Sequence, residues 1–300
     1  MFSTASLMGS SEPAPRCKAK PVTRIPEEPI APTDLSRRQC AEPGGDQVWQ
    51  YPRDTLPERK ARSMHREYVA WDSPALGRRM DLLWFGQGGQ PMIWFPTSQG
   101  RFYQNEDFGL VGAVSDLIER GVIQICCVDS VDAESFYATQ KHPADRIRRH
   151  DEYDRYLLTE VVPFARNKAH WAGRLATLGC SFGAYHAANF GFRHPDVIDK
   201  VVGFSGKYDI HSFLDGYWDE LCYFHCPTAN VPNMDGEWVA RLSSMDIAIV
   251  TGETDNILSG TTTMLGLLDA KGIRHRGSVW NAPFGHDWPW WKTQIRSYVP

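Results

Sequence analysis

The chain has 300 residues, of which 42% are hydrophobic and 23% are charged, and its net charge is -4. This length and composition suit one large globular domain, or at most two small ones, and the lack of a basic block interleaved with aromatic residues argues against nucleic-acid binding. The longest apolar runs are shorter than the roughly 20 residues that span a bilayer, so we expect no membrane partner.

The N-terminal segment, residues 1–66, differs from the rest of the chain. It holds nine of the 20 prolines, 11 Lys/Arg against 8 Asp/Glu, and no sustained hydrophobic periodicity. This pattern predicts a disordered or surface-draped arm. Its first residues show no basic stretch followed by an apolar run, as a secretory signal would. With seven cysteines, an odd number, we expect a reducing, cytoplasmic setting.

From residue 67 onward, apolar strands alternate with amphipathic helices. The predicted strands are 66–73, 78–86, 91–95, 122–129, 174–179, 201–206, 246–252 and 275–280. The predicted helices are 108–120, 144–169, 184–193 and 257–271. This alternation predicts an α/β domain over 67–300 with a mostly parallel sheet and helices on both faces. The stretch 207–245, rich in aromatic and turn residues, interrupts the alternation and is predicted to be a cap insertion.

The predicted strand 174–179 runs directly into Gly179-Cys180-Ser181-Phe182-Gly183 and then into a helix. A serine on such a tight strand-to-helix turn stands at the carboxyl edge of the sheet, where the helix N-terminus directs free N–H groups at it. The flanking glycines remove Cβ atoms where the backbone turns sharply. The pattern predicts Ser181 as a nucleophile.

A serine hydroxyl is a poor nucleophile until a base takes its proton. Among the ten histidines, only His286 combines a loop position with the end of the final predicted strand. The others lie in the arm, in helices, in polar loops, in the insertion or at the start of a strand. We therefore predict His286 as the general base.

The base in turn needs an acid that orients it and stabilises its cation. Asp255 follows the strand 246–252 and is the preferred candidate, with Asp209 as the main rival and Glu253 third. An aspartate in this place is also a suitable cap for the helix that starts near residue 257.

One cluster has the residue types of a metal site. Cys222, His225 and Cys226 fall within five residues, but no second pair of ligands follows at zinc-site spacing. We predict no metal and no cofactor.

Taken together, the chain resembles the α/β-hydrolase esterases of the esterase D type, which include S-formylglutathione hydrolases, feruloyl esterases and antigen 85 mycolyltransferases. The resemblance covers about residues 67–300 and rests on GCSFGAYHAANFGFRHPD, TGETDNIL and FGHDWPWW. It implies an α/β-hydrolase fold, with Ser181, Asp255 and His286 as nucleophile, acid and base.

One motif departs from this resemblance. Many relatives carry a His-Gly pair after the third strand, whereas WFPTSQGRF stands here. The resemblance implies an oxyanion hole formed by the Phe182 N–H and by a second N–H near Thr97, Ser98 or Gln99.

The predicted function is a serine carboxylic-ester hydrolase that acts on a small-molecule ester through an acyl-enzyme. Tyr137, Trp218 and Trp288 are candidates for the substrate pocket, with packing as their structural alternative. An acyltransferase using the same triad and a non-catalytic binding protein are the competing interpretations.

Overall fold

The structure is a computed structural model in which residues 64–299 are described. The predicted N-terminal arm lies outside the described residues except for its last three positions, the final one of which begins the first strand. Within residues 64–299, no helix is long and apolar enough to cross a membrane.

Among residues 64–299, eight strands form a single mixed sheet. They are β1 (Arg66–Ser73), β2 (Arg78–Phe85), β3 (Gln90–Phe95), β4 (Ile123–Val128), β5 (Leu175–Cys180), β6 (Ile198–Phe204), β7 (Asp246–Gly252) and β8 (Arg276–Trp280). Their order across the sheet is β1-β2-β4-β3-β5-β6-β7-β8. β1 and β2 pair antiparallel to each other, β2 pairs antiparallel to β4, and the remaining strands run parallel. The predicted mostly parallel sheet is confirmed.

Ten helices accompany the sheet in the described part of the chain. They are α1 (Gln104–Asp107), α2 (Ser115–Glu119), α3 (Pro143–Tyr156), α4 (Val162–Ala169), α5 (Phe182–Arg193), α6 (Glu220–Phe224), α7 (Pro227–Asn230), α8 (Gly236–Ser243), α9 (Leu258–Ala270) and α10 (Trp288–Gln294). A π-helical turn at Leu157–Val161 joins α3 to α4, so the predicted helix 144–169 is continuous.

The predicted helix 108–120 is wrong over its first half. Gly109 adopts φ +77°, which ends helical geometry there, and only a 3₁₀ turn at Gly112–Val114 precedes α2. An apolar spacing typical of a helix therefore persists across a segment whose backbone is irregular.

Apolar side chains of the strands β2 to β7 alternate between two cores, one on either face of the sheet. In β2, Leu82 and Trp84 pack with residues of α3 and α5, whereas Leu83 and Phe85 pack with residues of α2 and of the C-terminal segment. Because strand side chains point to opposite faces in turn, both faces are buried and helices cover each of them.

The predicted cap insertion lies between β6 and β7 and contains the short helices α6, α7 and α8. Residues of this insertion, among them Ile210 and Cys222, form a third apolar cluster with Phe182 and Tyr185 of α5. The insertion therefore packs against the helix that follows Ser181.

Parallel strands bring the segments that follow them to one edge of the sheet. Register pairs Cys180 with Phe204 at the ends of β5 and β6, and Gly252 with Trp280 at the ends of β7 and β8. The residues just beyond these strand ends therefore meet at one edge, although they come from distant parts of the chain.

Candidate active site

Ser181 stands alone between β5 and α5 with φ +57° and ψ -123°. A non-glycine residue pays conformational energy in this region, and such strain persists only where the surroundings hold it. One restraint is the Ser181 N–H, which donates to the Phe204 carbonyl at 2.9 Å. The strained turn lifts the side chain above the end of the sheet.

The two glycines flanking this turn are required by close backbone contacts. A Cβ on Gly179 would lie 2.1 Å from the Gly183 carbonyl carbon, and one on Gly183 would lie 2.5 Å from the Pro96 oxygen. Both distances are far below van der Waals contact. The G-x-S-x-G pattern thus lets α5 pack directly on β5 and on the segment after β3.

His286 joins Ser181 to Asp255. Its Nε2 lies 3.0 Å from Ser181 Oγ, and its Nδ1 lies 3.1 Å from Asp255 Oδ1. The Trp291 ring packs edge-on against the imidazole, with centroids 5.1 Å apart. The structure therefore brings all three residues of the predicted triad together in the predicted order.

The Asp255 carboxylate is fully buried and accepts several hydrogen bonds. Oδ1 also accepts the Ile257 N–H at 2.9 Å, and Oδ2 accepts the Thr251 hydroxyl at 3.0 Å. Burial raises the pKa of this carboxyl, but hydrogen bonds from His286, Ser205 and the Ile257 N–H outweigh burial and hold the pKa below its usual value. Asp255 thus bonds the imidazole and also fixes the turn that leads into α9.

The sequence patterns did not identify Ser205, whose side chain contacts the Asp255 carboxylate. It follows β6 directly and adopts φ +54°. Its Oγ accepts the Trp291 indole N–H at 2.9 Å, and its side chain hydrogen-bonds Asp255. The available signal was its place at a strand end, which is the same signal that identified Ser181.

The rival acids have other partners. Asp209 lies 3.0 Å from His211 Nδ1 and accepts the Thr228 hydroxyl at 2.9 Å, while Glu253 accepts the Ala282 N–H at 3.0 Å. Within residues 64–299, neither carboxylate has a hydrogen bond to His286. The geometry therefore favours Asp255.

The segment 96–100, which we name the oxyanion loop, contains the predicted second oxyanion donor. The Thr97 N–H donates to Gln104 Oε1 at 2.8 Å, and the Gly100 N–H donates to the Thr97 carbonyl at 2.9 Å. The Gln99 N–H donates to Asp132 Oδ2 at 2.9 Å, so it is not available to an oxyanion and this candidate is corrected. The Ser98 N–H has no acceptor among the described residues.

The first donor, the Phe182 N–H, belongs to the first residue of α5. The N–H groups of a first helical turn have no acceptor within their own helix, so this N–H can serve a bound anion. The close approach of Gly183 to Pro96 puts the start of α5 directly against the oxyanion loop.

Of the predicted pocket residues, Tyr137 contacts Phe182 of the site, and Trp288 packs against Trp291, whose ring contacts His286. The Tyr137 ring packs edge-on against Phe182 at 5.9 Å, and its hydroxyl hydrogen-bonds the Ser98 side chain. Trp288, two residues after His286, stacks on the exposed ring of Phe108 at 4.7 Å. Trp218 instead stacks on His211 at 4.0 Å, which associates it with Asp209.

The residues Cys222, His225 and Cys226, which are close in the sequence, do not form one site in the structure. His225 lies 2.9 Å from Asp151 and 3.0 Å from Asn189, inside a buried network. Cys226 instead shares a second group with Asp209 and His211, whose donor atoms all lie within 4.8 Å of one another. Because Asp209 accepts hydrogen bonds from both His211 and Thr228, hydrogen bonding accounts for this arrangement.

Comparison with known proteins gives a family and a fold. The profile of the family described as Putative esterase matches residues 73–299. A comparison with curated protein sequences found no match.

Similar solved structures include a ferulic acid esterase, with 17% identity, a TM-score of 0.64, and 78% of this chain and 96% of that chain covered. An S-formylglutathione hydrolase from Staphylococcus aureus has 14% identity and a TM-score of 0.59, with 79% and 97% covered. MPT51 from Mycobacterium tuberculosis has 16% identity and a TM-score of 0.59, with 78% and 96% covered. The predicted α/β-hydrolase fold is thereby confirmed.

Proposed function

Because the chain belongs to the Putative esterase family, we propose that it is a serine ester hydrolase with Ser181 as nucleophile, His286 as base and Asp255 as acid. The observation that carries the proposal is the pair of hydrogen bonds, 3.0 Å and 3.1 Å, that links these residues through one imidazole. An imidazole so placed can accept the serine proton on one nitrogen while a carboxylate holds the other.

In the first half of the reaction, Ser181 Oγ attacks the ester carbonyl carbon and His286 Nε2 takes the hydroxyl proton. The carbonyl π electrons move to oxygen, giving a tetrahedral oxyanion. When this intermediate collapses, the bond to the alcohol oxygen breaks and His286 returns the proton to the leaving alcohol. An acyl-enzyme remains on Ser181.

In the second half, a water molecule attacks the acyl carbon and gives its proton to His286. The tetrahedral intermediate collapses, the bond to Ser181 Oγ breaks, and the proton passes from His286 to that oxygen. The carboxylic acid product leaves and the enzyme returns to its starting state. The reaction consumes one water molecule and needs no cofactor.

Two features of the site favour the charges that develop during these steps. The lowered pKa of Asp255 keeps this carboxylate ionised at neutral pH, where it stabilises the imidazolium form of His286. The oxyanion would accept hydrogen bonds from the Phe182 and Ser98 N–H groups, and α5 adds the positive end of its dipole.

We propose a small carboxylic ester as the substrate. Trp288 follows His286 closely in the chain, and Tyr137 contacts both Phe182 and Ser98, so both are suitable walls for an acyl or aryl group. The fold likeness to a ferulic acid esterase is compatible with such a substrate.

The test is active-site labelling with a fluorophosphonate followed by peptide mass spectrometry. We expect the phosphonyl group on Ser181 and a parallel loss of p-nitrophenyl acetate hydrolysis. Ser181→Ala should be neither labelled nor active. Hydrolysis that persists in Ser181→Ala, or an unlabelled Ser181 in the folded wild-type protein, would overturn the proposal.

A further inference from the structure

We propose that Asp132 is a positioning residue that holds the oxyanion loop in register with the start of α5, so that the Ser98 and Phe182 N–H groups face one oxyanion. The inference rests on the proposed ester hydrolysis. It assigns a role to a buried carboxylate that takes no part in the proton transfers described above.

Asp132 connects two separate elements through its two oxygens. Its side chain is completely buried in the segment after β4. Oδ1 lies 2.9 Å from His186 Nε2 on α5, and Oδ2 accepts the Gln99 N–H of the oxyanion loop at 2.9 Å. One carboxylate therefore binds the helix that carries Phe182 and the loop that carries Ser98.

The loop needs such a restraint because Gln99 has an unfavourable backbone conformation. Its φ is +54°, a region that a non-glycine residue occupies at an energetic cost unless its surroundings hold it there. The bond to Asp132 acts on the N–H of this residue, directly after Ser98. We infer that the carboxylate keeps Gln99 in this conformation and thereby sets the direction of the peptide that carries the Ser98 N–H.

Other contacts hold the rest of the loop, which leaves one N–H for the reaction. Gln104 accepts the Thr97 N–H, and the Ser130 hydroxyl donates to the Gly100 carbonyl at 3.0 Å. Since the Gly100 N–H is also bonded within the loop, Ser98 has the one loop N–H without an acceptor among the described residues. A rigid frame around a single open donor is the arrangement that oxyanion stabilisation requires.

On the other side, His186 fixes Asp132 relative to the start of α5. Its ring packs edge-on against Phe182 at 5.0 Å and stacks on Phe95 at 5.7 Å, the last residue before the loop. His186 therefore contacts both neighbours of the oxyanion site as well as Asp132. A change at Asp132 should disturb the distance between the two N–H donors more than it disturbs the Ser181–His286 hydrogen bond.

The central experiment compares Asp132→Leu with Asp132→Asn. Leucine has a similar branched shape but leaves the Gln99 N–H and His186 without an acceptor. The asparagine oxygen can still accept the Gln99 N–H, while its NH₂ group can donate to His186 in the other tautomer. We expect kcat for p-nitrophenyl acetate to fall about 10²–10³-fold in the leucine variant, with KM changed by less than about threefold, and to recover to within about tenfold of wild type in the asparagine variant.

A matched control separates positioning from general destabilisation. Asp154 is also buried and lies 2.8 Å from His194 Nε2, just past the other end of α5. We expect Asp154→Leu to lower stability to a similar extent, with kcat per folded molecule near that of wild type. A trifluoromethyl ketone, whose adduct with serine carries an oxyanion, should lose affinity in Asp132→Leu by the same factor as kcat and keep it in Asp154→Leu. Equal losses in both leucine variants, or wild-type kcat in Asp132→Leu, would overturn the proposal.

If Asp132→Leu does not fold, the helix side of the link offers a second test. His186→Phe keeps a ring against Phe95 and Phe182 but removes the donor to Asp132, whereas His186→Gln retains an N–H donor. We expect kcat to fall about tenfold in the phenylalanine variant, a modest share of the effect of losing an oxyanion donor, and to recover in the glutamine variant. Identical activity in both variants and wild type would contradict the link.

Amide hydrogen exchange gives a readout that does not depend on catalysis. Peptides spanning residues 97–100 should exchange faster in Asp132→Leu than in wild type and stay protected in Asp154→Leu. Unchanged protection in Asp132→Leu would refute the restraint, even if the wild-type protein proved inactive on esters. Failure of Ser181 to react with a fluorophosphonate would overturn the proposed function while leaving this result intact.

Discussion

His286 Nε2 lies 3.0 Å from Ser181 Oγ, although 105 positions separate the two residues in the chain. They meet because β5 and β8 end at the same edge of the sheet and because the segment after β8 returns over that edge before α10 begins. The hydrogen bond is thus a product of sheet topology and carries the proposed chemistry.

Replacing the proposed nucleophile is the most direct test of that chemistry. Ser181→Ala should lower kcat on p-nitrophenyl esters by roughly 10⁴–10⁶-fold, the scale of other serine triads. Because the side chain is only partly buried, we expect little change in the unfolding free energy measured in denaturant. A folded variant that keeps a tenth of wild-type activity would exclude Ser181 as the nucleophile.

Asp255 and Asp209 can be distinguished by the same conservative change. Asp255→Asn keeps an oxygen that can accept the Ile257 N–H but no longer fixes the imidazole as a carboxylate does, so kcat should fall about 10³–10⁴-fold. Asp209→Asn is the matched control, since Asp209 bonds His211 and Thr228, and its kcat should stay near wild type. The opposite ranking of the two variants would reassign the acid.

The lowered pKa of Asp255 also predicts how stability depends on pH. A carboxyl whose pKa is lower in the folded than in the unfolded state contributes stability above its unfolded pKa of about 3.9 and loses it as pH falls through the folded value. The unfolding free energy of wild type should therefore fall more steeply below about pH 4 than that of Asp255→Asn. Denaturant titrations at several pH values measure this difference, and parallel curves would show that Asp255 does not contribute.

Gly183, two residues after the proposed nucleophile, should tolerate no side chain. In Gly183→Ala the new Cβ would lie 2.5 Å from the Pro96 oxygen, so the oxyanion loop must move away from α5. We expect a loss of about 1–3 kcal/mol in unfolding free energy, with kcat reduced more than KM is raised.

Gly266→Ala in α9 is the control for this change. No atom outside its own helix lies within 4 Å of the added Cβ, and alanine is favoured over glycine inside a helix by roughly 0.5–1 kcal/mol. Unfolding in denaturant should show Gly266→Ala more stable than wild type and Gly183→Ala less stable. A Gly183→Ala protein of normal stability and activity would mean that the loop is not held against α5.

The sheet and the positions of Ser181, Asp255 and His286 were predictable because each depends on a local pattern. Apolar runs marked the strands, and each of the three residues follows a strand end. The failures have a different physical origin. The Gln99 N–H donates a hydrogen bond to Asp132, which lies 33 positions further along the chain. No sequence pattern near Gln99 predicts that contact.

Helix 108–120 failed for a related reason. Its apolar residues Leu110, Val114, Leu117 and Ile118 lie in the core on one face of the sheet, but Gly109 at φ +77° prevents a regular helix in its first half. Apolar spacing predicts which residues are buried better than it predicts the conformation of the backbone that carries them. Ser205 was missed because its flanking glycines, Gly203 and Gly206, do not have the G-x-S-x-G spacing found around Ser181.

Ser181 and Ser205 end adjacent strands with nearly the same backbone angle, φ +57° and +54°. The Ser181 hydroxyl hydrogen-bonds the imidazole of His286. The Ser205 hydroxyl instead hydrogen-bonds the indole N–H of Trp291 and the carboxylate of Asp255. The bend itself therefore does not confer reactivity, which depends on the neighbour that tertiary folding supplies. An engineer who wished to relocate the reactive centre would have to transplant the imidazole, since a second suitable bend already exists one strand away.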